Sequence, residues 1–323
     1  MRVYHPADIE LKLPPGHRFP AAKYALLRRR LLEDGVIEEQ RLLASPHADA
    51  AVIAGAHCPR YVAAIIDGSI APAAMRRIGF PWSDQTWRRA AATIGGAVAA
   101  ARAALEDGVC GQLAGGTHHA HYDFGAGYCV FNDLAVVALT LLGRAEEHPL
   151  VPAKAGTQPS PVLDPGFRRD ERVRRIAIVD LDVHQGDGTA AMLEGRADVF
   201  TFSVHGAKNF PFRKAASTLD VALPDGVGDR AYLAALAEHL PAVWAFRPDL
   251  VLYQAGVDPL KEDRLGRMAL SHQGLFERDR MVLEGARAHG IPVSIAMGGG
   301  YADPIAKSVE AYANTWRVAR AIY

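Results

Sequence analysis

The stretch Asp180-Leu181-Asp182-Val183-His184-Gln185-Gly186-Asp187-Gly188 places three carboxylates and an imidazole directly after the apolar run 176–179. If extended geometry persists, two-residue spacing puts Asp180, Asp182 and His184 on one side of the chain. Carboxylates beside an apolar strand are costly unless something positive compensates them, and a divalent cation does so directly. Carboxylate oxygen and imidazole nitrogen are suitable zinc ligands, and a catalytic site needs three of them plus an open position. A solvated loop with Asp–Gly turns would be the plainer account, and its placement straight off an apolar strand argues against it.

A third ligand should come from the end of another strand. After the apolar run 249–254 the chain turns through Ala255-Gly256 and presents Asp258. Alone before Pro259, an aspartate is more often a turn former. Two further pieces lie elsewhere. Gly115-Gly116-Thr117-His118-His119 sets adjacent histidines after glycines; on a strand they would face opposite ways, whereas on a loop both rings can converge. Gly298-Gly299-Gly300-Tyr301 follows another apolar run and offers a phenol able to donate a hydrogen bond to an oxyanion. Each piece by itself also fits an ordinary solvated loop.

The elements that must position these residues alternate. Runs 175–180, 199–204, 249–254 and 292–297 are short, β-branched and uniformly apolar, which predicts strands buried on both faces. Between and around them, 90–107, 131–142, 230–245, 272–289 and 308–321 read as helices. This order argues for an α/β fold with a parallel sheet covered on both sides, with ligands gathering at the carboxyl ends of the strands. Residues 144–174 break the rhythm with five prolines and no apolar period, which predicts an exposed loop insertion.

Half of the 323 residues are hydrophobic and 22% are charged, with 36 basic and 36 acidic side chains. That balance leaves no global footprint for nucleic acid. Three cysteines, none in a CxxC pair, exclude a disulfide framework and fit a reducing compartment. No signal-peptide core and no uninterrupted membrane-length apolar stretch is visible, so a cytoplasmic protein without a membrane partner is expected.

Taken in order, the strings GGTHHAHYDFGAGYCVFNDLAV (115–136), IVDLDVHQGDGT (178–189), FSVH (202–205), AGVDPLKEDRLG (255–266) and GGGY (298–301) resemble the histone deacetylase superfamily. LPPGHRFPAAKYALL and HGAKNFPF look most like its class IV branch and bacterial relatives. The resemblance covers nearly the whole chain except 144–174, whose VPAKAGTQ and LDPGFRRD look like translated interspersed bacterial repeats and should add no chemistry. It implies one domain over 1–323: a three-layer αβα arrangement around a mostly parallel, eight-stranded sheet, the arginase/deacetylase fold.

Carried over residue by residue, the resemblance puts zinc, or ferrous iron, on Asp182, His184 and Asp258. His119 would be the general base that activates water and returns the proton to the leaving amine, with Asp187 orienting it. His118, paired with Asp180, would act as a cation, and Tyr301 would stabilise the oxyanion. Gly127, Tyr128, Phe210 and Leu265 would line an acyl-lysine channel. Ser203 and Val204, with Asp180, Asp182 and His184, match a monovalent-cation site, usually potassium. The substrates implied are acylated lysine, polyamine or another small acyl-amine. Gln185 stands where many members carry a second histidine, and Thr117 replaces a common aromatic. Larger members grip the substrate backbone with an aspartate on an early loop; the matching region here reads IGFPWSDQTW, with no residue assigned to that role. Two other readings stay open: a binuclear manganese ureohydrolase of the arginase type, and a module that binds acylated ligands without turnover.

Overall fold

The computed structural model of the chain describes residues 1–6, 9, 11, 13–143 and 173–323. In chain order the elements begin with β1 (Val3–His5), α1 (Lys23–Glu33), β2 (Leu42–Ala44), α2 (Ala50–Ala54), α3 (Pro59–Asp67), α4 (Pro72–Ile78), α5 (Asp84–Asp107), β3 (Val109–Gln112) and α6 (Asp133–Leu142). They continue with β4 (Ile176–Asp180), α7 (Asp187–Met192), β5 (Val199–Gly206), β6 (Leu219–Leu223), α8 (Asp229–Ala245), β7 (Leu250–Gln254), α9 (His272–Ala288), β8 (Val293–Ala296) and α10 (Ala306–Ile322).

All strand pairs are parallel, in the order β2-β1-β3-β8-β7-β4-β5-β6. The eight-stranded sheet is as expected, and it is parallel throughout. The four uniformly apolar runs became β4, β5, β7 and β8, which occupy four consecutive central positions. Their side chains alternate between two cores: Ala177, Val179, Val251 and Tyr253 pack on one face, Ile176, Ile178, Leu250 and Leu252 on the other. Burial on both faces is why these strands read as continuous apolar runs rather than as alternation. The first core takes in α8, α9 and α10, the second α5 and α6.

Strands β1, β2, β3 and β6 escaped the apolar pattern. β1 and β2 have three residues each, β3 reads VCGQ, and β6 is an edge strand whose exposure alternates. Helix α5 starts six residues earlier than the apolar period suggested, because Ser83 and Thr86 form a reciprocal capping box. The expected insertion 144–174 lies outside the described residues except at its end. There Val173 is buried, and the Arg174 and Arg175 amides donate to Asp249 Oδ2 at 2.8 and 2.9 Å, leading the chain into β4.

A buried polar network ties this frame together. Arg278 of α9 pairs with Asp279 at 2.7 Å, and Asp279 accepts hydrogen bonds from Tyr253 of β7 and Thr315 of α10. Arg278 also donates to the Leu181 and Gly256 carbonyls. A fully buried Trp316 closes the adjacent apolar layer. Trp316→Ala removes the largest side chain of this core and is expected to cost about 3–5 kcal/mol; a denaturation midpoint unchanged from wild type would contradict this packing role.

Candidate active site

Five loops leave the carboxyl ends of central strands and meet, as the parallel-sheet rule requires. Extended geometry stops at Asp180, the last residue of β4, and residues 182–184 are bent. The expectation that strand alternation alone aligns Asp180, Asp182 and His184 is therefore corrected. What aligns Asp182 and His184 is the burial of Leu181 and Val183 in the core, which turns the polar side chains between them the other way.

Asp182, His184 and Asp258 offer donor atoms that all lie within 4.8 Å of one another. His184 Nδ1 stands 3.0 Å from both Asp182 Oδ1 and Asp258 Oδ2. Backbone amides hold the remaining carboxylate oxygens: Gly299 donates to Asp182 Oδ2 at 2.7 Å and Val183 to Asp258 Oδ1 at 2.8 Å. Burial and the charge of Asp182 push Asp258 up to about 7. Burial disfavours the His184 cation, yet its bonds to Asp182 and Asp258 outweigh that and raise it to about 10. Two buried carboxylates that draw positive charge this strongly, with one neutralisable imidazole between them, are a donor set that fits a divalent cation.

The adjacent histidines converge, with ring centroids 4.1 Å apart. His118 Nδ1 lies 2.7 Å from Asp180 Oδ2, and His119 Nδ1 lies 2.7 Å from Asp187 Oδ1. Their electrostatics diverge. Burial disfavours the His118 cation, but the charges of Asp180 and Asp182 override it and lift His118 to about 9. For His119, burial and the neighbouring His118 charge act together and lower it to about 3, against the bond to Asp187. The environment thus favours a cation at His118 and a neutral ring at His119, and a neutral His119 that donates from Nδ1 to Asp187 keeps its lone pair on Nε2.

Tyr301, Gly127, Tyr128, Phe210 and Leu265 line the same pocket as His118, His119, Asp182 and His184, a cavity of 740 Å³. The Phe210 ring stands edge-on to His119 at 4.8 Å. Gly127 has φ +54°, and a Cβ there would fall 2.6 Å from His119 Cδ2, so only glycine lets the channel wall approach the ring. Burial raises the Tyr301 hydroxyl well above its ordinary value, keeping it protonated. Ser203 sits opposite Asp180 in the β4–β5 register, with its hydroxyl 2.9 Å from His205 Nδ1. Gln185 is structural, bonded to Ala215 and Asp220.

Several residues that shape the site carried no sequence signal strong enough to single them out. Asp133 accepts from the Gly116 and Thr117 amides and the Thr117 hydroxyl at 2.7–2.8 Å, fixing the histidine loop to the start of α6. Asn132 caps that helix and donates to the Ala120 carbonyl. His121 shares Asp187 with His119, at 3.0 Å. The buried Lys23 of α1 donates to the Gly298 and Gly300 carbonyls and the Tyr312 hydroxyl, and burial lowers it to about 8.

The fold and the site together define a class, that of parallel-sheet α/β proteins with a buried Asp–His–Asp group able to hold a metal ion at the strand ends. Residues 17–150 and 166–316 match the histone deacetylase domain, and the chain belongs to that family. It is 42% identical to an uncharacterized protein of Picosynechococcus sp., over 99% of this chain and 98% of that protein. It is 27% identical to Histone deacetylase 2 of Arabidopsis thaliana, over 91% of this chain and 73% of the relative. In fold it matches a crystal structure of an HDAC homolog complexed with SAHA, with TM-score 0.78, 22% identity, and coverage of 100% of this chain and 84% of that one. The family is metal-dependent, and this chain is a hydrolase acting on acetylated amines. Among the described residues no helix is long and apolar enough to cross a membrane. Gly127→Ala, which drives a methyl into His119 at a positive φ, is expected to lower kcat at least about tenfold while the protein stays folded by circular dichroism; wild-type kcat would refute the close packing.

Proposed function

We propose that the chain is a zinc-dependent amidohydrolase that removes acetyl or longer acyl groups from lysine or lysine-like amines, working as one domain in the cytoplasm. The observation that carries this reading is the pair of adjacent histidines, each bonded through Nδ1 to its own aspartate, beside the Asp182–His184–Asp258 group in an aromatic-walled pocket. Asp182, His184 and Asp258 would hold the ion, ferrous iron being the alternative that the same donors accept. A divalent cation bound there supplies Lewis acidity, polarising the amide carbonyl and acidifying water to near neutrality.

The proton work falls to the chain's own residues. His119, neutral and oriented by Asp187, accepts a proton from water at Nε2 and returns it to the departing amine. His118, kept cationic by Asp180, favours the negative charge that develops as the carbonyl is attacked. The protonated Tyr301 hydroxyl donates a hydrogen bond to the same oxygen. Tyr128 and Phe210 flank an aliphatic stem without demanding polar contacts, and Gly127 and Leu265 complete the channel. Asp180, Asp182, His184, Ser203 and Val204 are proposed to hold potassium, a reading supported by the facing register of Asp180 and Ser203.

Asp258→Ala is expected to lose both metal and turnover, as read by metal analysis of the purified protein and hydrolysis of an acetyl-lysine peptide. Two manganese ions per wild-type chain would instead favour the ureohydrolase reading. Tyr301→Phe should retain the metal and lose on the order of 10²–10³ in kcat; normal turnover would remove the tyrosine from the mechanism. Wild type that binds acylated peptides yet hydrolyses none, with metal present, would revive the non-catalytic module.

A further inference from the structure

The exposed charged side chains that line the pocket are all cationic. Among its lining residues the carboxylate is the buried Asp182, whereas the arginines and lysines are five: Arg18, Arg76, Arg77, Lys208 and Arg267. All five are exposed. They come from four separate segments: the loop before α1, the last turn of α4, the loop after β5 and the loop after β7. Arg267 pairs with Asp225 at 3.1 Å, and Arg77 lies over the Phe124 ring at 4.7 Å. Among the described residues no carboxylate is within ion-pair distance of Arg18, Arg76, Arg77 or Lys208.

This distribution is not inherited from the chain as a whole, whose 36 basic and 36 acidic residues cancel. The acidic residue of the segment 78–87, Asp84, is bonded to Arg88 at 2.9 Å on α5 and does not line the pocket. The mouth of a 740 Å³ pocket is on the order of 10 Å across, about one Debye length at physiological ionic strength, so charges around it act jointly on whatever enters. An acylated polyamine keeps further ammonium groups beside the acyl-amine and meets this ring unfavourably. A lysine-rich peptide does the same. Carboxylates flanking the acyl-lysine meet it favourably, and complementarity of this kind acts on encounter and partner choice.

We infer that the mouth selects acyl-amines on negatively charged carriers, and that an acyl-lysine within an acidic peptide segment is the substrate class it fits. The inference rests on the acyl-amine reading above. Its test compares zinc-loaded full-length protein on acetyl-lysine peptides flanked by Glu, Gln or Lys, and on an N-acetylated polyamine, at low and high sodium chloride. The expected order in kcat/KM at low salt is Glu, then Gln, then Lys and polyamine, with Glu over Lys by at least about tenfold and the gap closing as salt rises. The double variant Arg76→Glu with Lys208→Glu should reduce or invert the Glu:Lys ratio. Because a ratio within one preparation is read, loss of folded protein cannot imitate the result. Equal rates across the peptides, a faster Lys-flanked peptide or polyamine, or a Glu preference unmoved by both salt and the variant would overturn the inference while leaving the hydrolase reading standing. Failure to hydrolyse any of the four overturns both.

Discussion

Asp182 and Asp258 are 1% and 0% exposed, and both face one nitrogen of His184 at 3.0 Å. Concentrating two carboxylates at the ends of apolar strands is the constraint on which the surrounding structure depends. Burial penalises each charge, and only backbone amides, a shared imidazole or a bound cation can compensate. The neighbouring backbone is shaped accordingly. A Cβ at Gly299 would lie 2.0 Å from Asp258 Oδ2, and one at Gly256 would lie 2.4 Å from Asp182 Oδ2, so these loops come as close as they do only because they lack side chains. From behind, the buried Arg278 grips the carbonyls of Leu181 and Gly256, the residues beside Asp182 and Val257.

The same field sorts the two histidines. His118 and His119 are adjacent in sequence and similarly buried, so burial alone would leave both neutral. His118 sees Asp180 and Asp182 and holds its proton; His119 sees the resulting cation next to it and loses its own. A pair of unlike proton states therefore follows from where each ring sits relative to the carboxylates, not from residue type. Moving outward, the buried Asp182 gives way to the exposed side chains of Arg18, Arg76, Arg77, Lys208 and Arg267, which line the same pocket.

Much of this was legible beforehand. The strands β4, β5, β7 and β8 showed as uniformly apolar runs because both their faces are covered, and Asp182, His184 and Asp258 showed because acidic residues directly after such runs demand compensation. The strands β1, β2, β3 and β6 did not show, since three residues, or a run such as VCGQ, hold too little periodicity to read. Extended geometry, on which the alignment of Asp182 and His184 was conditional, does not persist through 182–184; Asp182, His184 and Asp258 meet through loop packing, with Leu181 and Val183 anchored in the core.

Residue types and their order along the chain therefore determined the parallel sheet, the Asp182–His184–Asp258 group and the presence of two histidines and a tyrosine near it, because buried strands and clustered polar donors each impose a local compositional pattern. Tertiary structure supplied the distances that favour a proton on His118 over His119, showed that Asp133 and Lys23 hold the histidine and glycine loops, and brought basic side chains from four separate segments to line one pocket. Those outcomes depend on distances between residues far apart in the chain, and electrostatic and packing energies follow distance in space, which the linear order does not contain.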